Sequence, residues 1–217
     1  MTRFAPRPAL LAALPLLVAC IGGDPTQDLG AEVDGVPDGA ATMMVAGGCF
    51  WCVESDFEDR DDVYEVVSGY AGGTSATPTY ETYAADGHRE VARIYYDPDQ
   101  TDYASLARFF LRTVDPTDVG GQFCDRGFGY TTAIYYETEE ERRVAEAAVA
   151  EAEQVLGEPV VTPVEEASAF TPAEAYHQDF YEKSPVRYKY YRNGCGRDQR
   201  LAELWGEAAM GGTVSAE

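Results

Sequence analysis

The amino-acid sequence predicts an α+β fold: a ferredoxin-like split βαβ sandwich with a β-α-β-β-α-β core, followed by C-terminal helices and an irregular extension. Three observations lead to this class. Short apolar runs typical of strands alternate with helical patterns in that order. Two of the strand runs follow each other with no helical pattern between them. The 217 residues suffice for one sizeable domain and not comfortably for two.

The first strand and the first helix meet at a cysteine. MMVA (43–46) is a short apolar run that a Gly-Gly pair ends. Phe50, Val53 and Phe57 then recur at intervals of three and four, the spacing of one helical face. Cys49 is therefore expected at the N-terminus of a helix that follows directly on a strand.

The next four elements complete the core. VYEVVSGY (63–70) and EVARIYYDP (90–98) predict the second and third strands, and alternate residues of the third strand should share a face. DYASLARFFLRT (102–113) predicts a helix because its apolar residues form one stripe. YTTAIYYE (130–137) is rich in β-branched and aromatic residues and predicts the fourth strand.

Three further elements follow the core. A helix is predicted over 138–156, with Thr138 and Glu141 as a capping box and Gly157 as its stop. PVVTPVEE (159–166) predicts a strand at the edge of the sheet, because its prolines cannot donate to a ladder. TPAEAYHQDFYEK (171–183) predicts another helix, opened by a second capping box with proline at its first position.

The N-terminus has the pattern of an export signal. Residues 1–20 carry two arginines before a short apolar run, and the run ends in LVAC, which resembles a bacterial lipobox. This predicts a lipoprotein-type signal peptide with lipidation at Cys20; an ordinary signal with an incidental cysteine is the alternative. Residues 21–42 are acidic, lack Lys and Arg, and predict a disordered tether. The domain should span 43–206, with a flexible tail at 207–217.

Composition excludes two classes of function. A formal charge of −22 argues against nucleic-acid binding, because phosphates require a basic surface. Two histidines without paired ligand spacing make a zinc site improbable, and we expect no bound metal or cofactor. Five cysteines are one lipid site plus four, so two structural disulfides are the simplest assignment for an exported protein.

Cys49 is the candidate nucleophile. The free N–H groups and partial positive charge of a helix N-terminus favour a thiolate, and Gly47 and Gly48 should leave room for a substrate. A buried, inert cysteine is the alternative. Phe50 and Trp51 point about 100° apart on a helix, so at least one should line a hollow beside the sulfur rather than the core.

These residues carry a resemblance to a known family. GCFWCVE (48–54) resembles the active-site signature of peptide methionine sulfoxide reductase A, and further family motifs follow in order over residues 44–206. They are GYAGG (69–73), PTY (78–80), GHREV (87–91), YDP (96–98), DPTD (115–118), DRGFGYTTAIYY (125–136) and YHQDFY (176–181). Enzymes of this class reverse methionine oxidation and act on one sulfoxide epimer.

The resemblance implies a role for each matched residue. Cys49, as thiolate, would attack the sulfoxide sulfur, and Glu90, as a neutral carboxyl, would protonate the oxygen. Tyr80 and Tyr130 would hydrogen-bond that oxygen as charge builds on it. Asp125 would order water or backbone near the substrate, although Cys124 replaces the usual Asn before it.

Other residues keep two interpretations. Phe50 and Trp51 would hold the S-methyl group, with core packing as the alternative. His177 is expected to be a structural hydrogen-bonding residue, with the general base of a Cys-His hydrolase as the alternative. Glu54 is expected to complement the helix dipole rather than transfer protons.

Attack would leave Cys49 as a sulfenic acid, which a second thiol must resolve. Cys195, between two glycines, is the preferred candidate, followed by Cys52 of the CxxC and then Cys124. A permanent Cys124–Cys195 or Cys52–Cys195 bridge is the structural alternative. Electrons would come from thioredoxin or a thioredoxin-like dithiol donor, delivered through the membrane if the domain is exported.

The sequence thus predicts a monomeric, lipid-anchored enzyme on the periplasmic side of a bacterial envelope. By its resemblance it would reduce methionine-S-sulfoxide in proteins or peptides, with the free amino acid as a further substrate. One rival is a CxxC thiol-disulfide oxidoreductase using Cys49 and Cys52. Another is a non-enzymatic acidic lipoprotein with structural disulfides.

Overall fold

The computed structural model describes residue 1 and residues 35–211. The predicted signal peptide with Cys20, most of the predicted tether and the last six residues lie outside the described residues. The strands are β1 Ala41–Gly47, β2 Val63–Ala71, β3 Arg89–Tyr96, β4 Gly121–Gln122, β5 Asp125–Arg126, β6 Thr132–Tyr136, β7 Val164–Glu166 and β8 Thr171–Pro172. The α-helices are α1 Phe50–Glu58, α2 Tyr103–Leu111, α3 Glu139–Leu156, α4 Phe180–Lys183, α5 Pro185–Gly194 and α6 Arg197–Trp205, with 3-10 helices at Phe128–Tyr130 and Gly206–Gly211.

One mixed sheet organises the domain, and its helices make the fold α+β. Its strand order is β7-β6-β1-β3-β2-β8, and β4 and β5 form a separate small hairpin. Strand β1 lies between β3 and β6 and is antiparallel to both, whereas the edge pair β6–β7 is parallel. The end of β1 therefore emerges from the middle of the sheet, which is where the predicted nucleophile follows.

The sheet is buried on both faces. The larger core lies under α1, α2, α3 and α6, and it receives Ala92, Ile94 and Tyr96 from β3. A smaller cluster on the other face takes Val91 and is closed by Phe170. The predicted division of the third strand into two faces is confirmed for these residues.

Local capping explains where the long helix begins and ends. Thr138 Oγ1 accepts from Glu141 N, and the Glu141 carboxylate accepts from Thr138 N, as the capping box predicts. Gly157 ends the helix in the left-handed region at φ +69°. Such a pair of caps satisfies backbone groups that the helix ends leave free.

The prediction of a helix over residues 171–183 is wrong for most of its length. Residues 171–172 instead pair with β2 as strand β8, and the helix is confined to Phe180–Lys183. The presumed capping residue Glu174 is engaged elsewhere: its carboxylate accepts from Tyr70 Oη and from Tyr80 N. These partners lie about a hundred residues away in sequence, so a local pattern could not reveal them.

Within the residues that the structure describes, no helix combines the length and the apolar character needed to cross a bilayer.

Candidate active site

Cys49 caps the N-terminus of α1, at the end of the central strand β1. The glycine pair before it does not make room for substrate, contrary to the prediction. A Cβ on Gly47 would lie 2.7 Å from Val53 Cγ2, and one on Gly48 would lie 2.5 Å from Gln122 Cβ. Gly48 also has φ +80°, which disfavours any side chain. The pair serves the tight turn from β1 to α1.

A small pocket opens beside the Cys49 sulfur. Its volume is about 60 Å³, and Cys49 is 7% exposed, so the sulfur is reachable from the pocket. The lining residues are Cys49, Phe50, Trp51, Tyr80, Glu90, Asp125, Tyr130 and Tyr191. The structure therefore brings together every predicted catalytic and substrate-binding residue and adds Tyr191, which sequence reasoning missed.

Glu90 enters the pocket from the start of β3 and is almost fully buried. Its Oε2 accepts from Phe50 N at 3.0 Å, and its Oε1 accepts from Tyr83 Oη at 3.1 Å. Burial outweighs these hydrogen bonds and raises the pKa of the carboxyl to about 8. At neutral pH the group is mainly a protonated acid that can donate a proton.

The two cysteines at the start of α1 share a hydrogen-bonding contact. Burial raises the pKa of Cys49 well above its ordinary value, and the contact with Cys52 raises it further. The same contact lowers the pKa of Cys52, assisted by the Arg197 guanidinium. The sequence predicts that the helix N-terminus favours a thiolate at Cys49, but desolvation outweighs that position in its effect on the pKa. Cys52 is therefore the more acidic thiol of the pair, and Cys49 holds its proton more tightly.

Trp51 is held as a rigid wall of the pocket. Its ring stacks on Phe180 with centroids 3.8 Å apart, and its Nε1 donates to His177 Nδ1 at 3.1 Å. His177 is buried, and burial lowers its pKa, so the neutral imidazole is the acceptor. It does not line the pocket. His177 positions Trp51, in agreement with the structural role expected from sequence.

The pocket tyrosines rest on a second layer of buried groups. Tyr80 and Tyr130 are part-exposed, whereas Tyr83 behind them is buried, and burial raises the pKa of all three hydroxyls. Neutral hydroxyls of this kind can donate to an oxygen that gains charge. Glu174 fixes the Tyr80 backbone from the other side of the loop. Sequence reasoning missed Tyr83, for which PTYETY offered only a repeated tyrosine.

Asp125 and Tyr191 complete the lining of the pocket. Tyr191 Oη donates to Asp125 Oδ2, and a further hydrogen-bonding contact of Tyr191 lowers the pKa of Cys49. Cys124 and Cys195, which form a disulfide, flank these two residues in sequence and tie their segments together. Tyr191 lies one helical turn before Cys195 on α5, which is the only signal that could have indicated it.

The cysteines fall into two pairs. Cys124 and Cys195 are bonded, which is one of the structural alternatives considered from sequence, whereas Cys49 and Cys52 are free thiols. The preferred resolving residue, Cys195, is thus engaged with Cys124 in this state. Cys52 is the thiol next to Cys49.

A cluster of carboxylates outside the pocket joins helix α1 to the residue before α4. Oxygens of Glu54, Glu58 and Asp179 come within 4.8 Å of one another, the arrangement of a possible metal site. Both Glu58 oxygens already accept from Val66 N and Tyr181 Oη, however, and the Asp179 carboxylate accepts from Lys183. The cluster therefore serves the fold.

Glu54 does not sit in the first turn to complement the helix dipole, contrary to the prediction. It is fully buried, where it accepts from Asp179 N. That bond secures the chain just before α4, at a residue whose φ is +53°.

The site combines a pair of thiols with a protonated carboxyl at the end of a central strand. This combination is typical of a thiol-dependent oxidoreductase. Comparison with known families makes the class specific. The model described as peptide methionine sulfoxide reductase matches residues 41–209. The chain belongs to this family, and it is an oxidoreductase that reduces methionine sulfoxide.

Individual relatives agree with this assignment. Peptide methionine sulfoxide reductase MsrA 2 of Rhizobium meliloti (strain 1021) is 59% identical over 169 residues, covering 78% of this chain and 85% of the relative. The crystal structure of Mxr1 from Saccharomyces cerevisiae in reduced form matches with a TM-score of 0.67 at 25% identity, covering 72% and 92% of the two chains. Methionine sulfoxide reductase A of Corynebacterium diphtheriae matches with a TM-score of 0.62 at 26% identity, covering 69% and 77%.

Proposed function

We propose that Cys49 and Glu90 carry out the reduction of methionine-S-sulfoxide as nucleophile and general acid, in proteins and peptides and in the free amino acid. The observation that supports this most directly is their placement in one pocket of about 60 Å³ with Glu90 protonated. A sulfoxide oxygen is a poor leaving group unless it receives a proton. A buried carboxyl whose pKa is about 8 supplies one at neutral pH.

The reaction begins with loss of the Cys49 proton, which the hydrogen-bonding contact with Tyr191 favours. The Cys49 sulfur attacks the sulfoxide sulfur while Glu90 protonates the oxygen. The protonated oxygen then moves from the substrate sulfur to the Cys49 sulfur while the bond between the two sulfurs breaks, so methionine leaves as a thioether and Cys49 becomes a sulfenic acid. The substrate sulfur gains the two electrons that Cys49 loses.

The remaining pocket residues bind the substrate around that sulfur. Tyr80 and Tyr130 donate hydrogen bonds to the oxygen, where preorganised donors stabilise developing charge. Phe50 and Trp51 enclose the S-methyl group. Asp125 orients Tyr191, which makes a hydrogen-bonding contact with Cys49.

Cys52 is the residue we assign to resolve the sulfenic acid. It contacts Cys49 within the CxxC, whereas Cys195 is bonded to Cys124. Condensation of the Cys52 thiol with the sulfenic acid forms a Cys49–Cys52 disulfide and releases water. Both of these sulfurs are buried, so a more accessible pair must pass on the oxidation.

The Cys124–Cys195 pair is suited to meet the reductant, because Cys124 is exposed. After the donor has reduced this disulfide, its two thiols can reduce the Cys49–Cys52 disulfide by thiol–disulfide exchange. We assign the final step to thioredoxin or a thioredoxin-like dithiol donor. Mxr1 from Saccharomyces cerevisiae in complex with Trx2 has the same fold, with a TM-score of 0.50 at 19% identity, covering 69% of this chain and 91% of that one.

Our proposal also covers the N-terminal anchor and the finer description of the fold. The lipobox-like LVAC supports a lipid anchor at Cys20 on the periplasmic side of a bacterial envelope, followed by the tether. The central strand order β6-β1-β3-β2 supports the ferredoxin-like description of the core. Globomycin, which blocks lipoprotein signal cleavage, should leave a larger precursor in cells if the anchor exists; an unaltered band would contradict it.

Single-turnover kinetics test the catalytic assignment. The fully reduced protein is mixed with each epimer of N-acetylmethionine sulfoxide without reductant, and methionine release is followed. Wild type should release methionine from the S epimer, Cys49→Ser should release none, and Glu90→Gln should be slow. Methionine release by Cys49→Ser at the wild-type rate would refute the assignment. Val155→Ser, which changes an exposed side chain of α3 outside the pocket, is the control.

A further inference from the structure

The catalytic pocket is too small for a whole substrate residue. A water molecule needs roughly 10–15 Å³ of such a cavity, so about 60 Å³ holds only a few of them. It can enclose the sulfoxide and the methyl group, so the flanking chain of a peptide must lie outside it. The surface next to the pocket then decides which peptides bind.

An apolar groove adjoins the pocket and shares two of its walls. The groove has a volume of about 420 Å³ and is lined by Trp51, Phe180, Val186, Arg187, Tyr190 and Tyr191. Trp51 and Tyr191 also line the catalytic pocket. Because these rings form a common wall, a chain leaving the pocket over them enters the groove directly.

The groove exposes side chains that a folded domain normally covers. Among residues 35–211, Val186 at 81% and Tyr190 at 84% are the two most exposed large hydrophobic side chains. They lie four residues apart on α5, so they occupy neighbouring positions on one helix face. Exposed apolar patches beside polar surroundings commonly mark sites of interaction.

The groove carries a cation on a strongly acidic protein. The chain has a formal charge of −22, and Arg187 of α5 is the charged residue that lines the groove. The Arg187 guanidinium lies 5.6 Å from the Phe180 ring centroid, and no carboxylate among the described residues forms a salt bridge with it. An acidic group on a partner would find an available cation there.

We propose that this groove binds the polypeptide segment that flanks the oxidised methionine. It would select an apolar side chain within two residues of that methionine, and a carboxylate beside it for Arg187. An extended chain advances about 3.3 Å per residue, and the Trp51 and Tyr191 rings are 6.0 Å apart. One or two residues therefore span the shared wall. The proposal rests on the proposed function.

The test compares a single-residue substrate with matched peptides. The substrates are N-acetylmethionine-S-sulfoxide and two pentapeptides with phenylalanine or glycine on both sides of the sulfoxide, reduced with dithiothreitol. The groove variant is Val186→Ser with Tyr190→Ala. The control is Val155→Ser, which removes an exposed valine from α3. Wild type should prefer the phenylalanine peptide.

The groove variant should lose about tenfold in kcat/KM for the phenylalanine peptide, mainly through KM. It should stay within twofold of wild type for the single-residue substrate and for the glycine peptide. Equal losses on all three substrates, or no loss on any, would overturn the proposal. A failure of wild type to reduce N-acetylmethionine-S-sulfoxide would instead refute the proposed function.

Two further experiments test whether Arg187 recognises charge on the peptide and whether the groove binds the reductant instead. Wild type should prefer a peptide with aspartate next to the sulfoxide over one with lysine, by about fivefold in kcat/KM. Arg187→Glu should prefer the lysine peptide by about the same factor. The groove variant is also assayed with thioredoxin at a fixed concentration of the glycine peptide. A raised KM for thioredoxin with unchanged peptide selectivity would assign the groove to the reductant and overturn our proposal.

Discussion

Glu90→Gln removes the acidic proton and keeps the shape of the side chain. In the wild type the carboxyl has a pKa of about 8, so about nine-tenths of it is protonated at pH 7. A positioned general acid contributes about 10²–10⁴-fold to a rate. The single-turnover rate constant for methionine release should therefore fall by about that factor, while the hydrogen bond from Phe50 N can still be accepted by the amide oxygen.

The pH profile identifies the proton more sharply than the rate at one pH. As the pH rises through about 8 the carboxyl loses its proton, so the wild-type rate should fall about tenfold per unit above that value. The Gln variant should lack this descending limb. Ionisation of the thiol pair acts in the opposite direction, because it produces more nucleophile as the pH rises.

Tyr83→Phe should shift the pH at which the rate begins to fall. The Tyr83 hydroxyl donates to Glu90 Oε1 and lowers the pKa of the carboxyl. Its removal should move the descending limb upward by about one pH unit, the size expected for one hydrogen bond to a charged group. Rapid-quench measurements between pH 5 and 10 would provide the profiles. A limb that stays in Glu90→Gln, or does not move in Tyr83→Phe, would refute the assignment of Glu90.

Three other variants test separate parts of the account. Cys52→Ser should retain about one methionine per enzyme but lose recycling, with a Cys49 sulfenic acid trapped by dimedone; full multiple turnover would contradict its resolving role. Arg89→Ala should lower the free energy of unfolding in urea by about 1–3 kcal/mol, since it breaks a partly exposed pair with Glu165. Glu54, with a pKa raised to about 9 by burial, stabilises the fold at low pH and loses that contribution as the pH rises toward 9, by at most about 1.4 kcal/mol per unit. Glu54→Gln should flatten this dependence, and an unchanged slope between pH 6 and 8 would contradict it.

Much of the sheet could be predicted because its signals are local. The alternation in EVARIYY and the capping box at Thr138 each depend on residues a few positions apart. The helix predicted over 171–183 was wrong for the same reason. Its capping signature is local, but Thr171 pairs with Tyr70 and Glu174 binds the Tyr80 loop, contacts that only the folded chain creates.

The sequence could predict which residues line the site, but it could not predict their pKa values. Motif order placed Glu90 and Tyr130 in the pocket because their spacing within GHREV and DRGFGY carries the resemblance. Tyr83 and Tyr191 have no such motif, and they act through hydrogen bonds to predicted residues. The pKa of Cys49 depends on its burial, which sequence does not give.

Burial acts on both reacting groups in the same direction, and its consequences for catalysis are opposite. It keeps Glu90 protonated, as an acid must be, but it also keeps the proton on Cys49, which must lose it. A dry pocket alone would therefore favour half of the reaction. The Tyr191 contact acts against burial, because its hydrogen bond lowers the pKa of Cys49. The Cys52 contact acts with burial, because it raises the pKa of Cys49 further. Tyr191 is thus the neighbour that favours ionisation of the nucleophile, and the second cysteine of the CxxC is left to act after the attack, as the thiol that closes the disulfide.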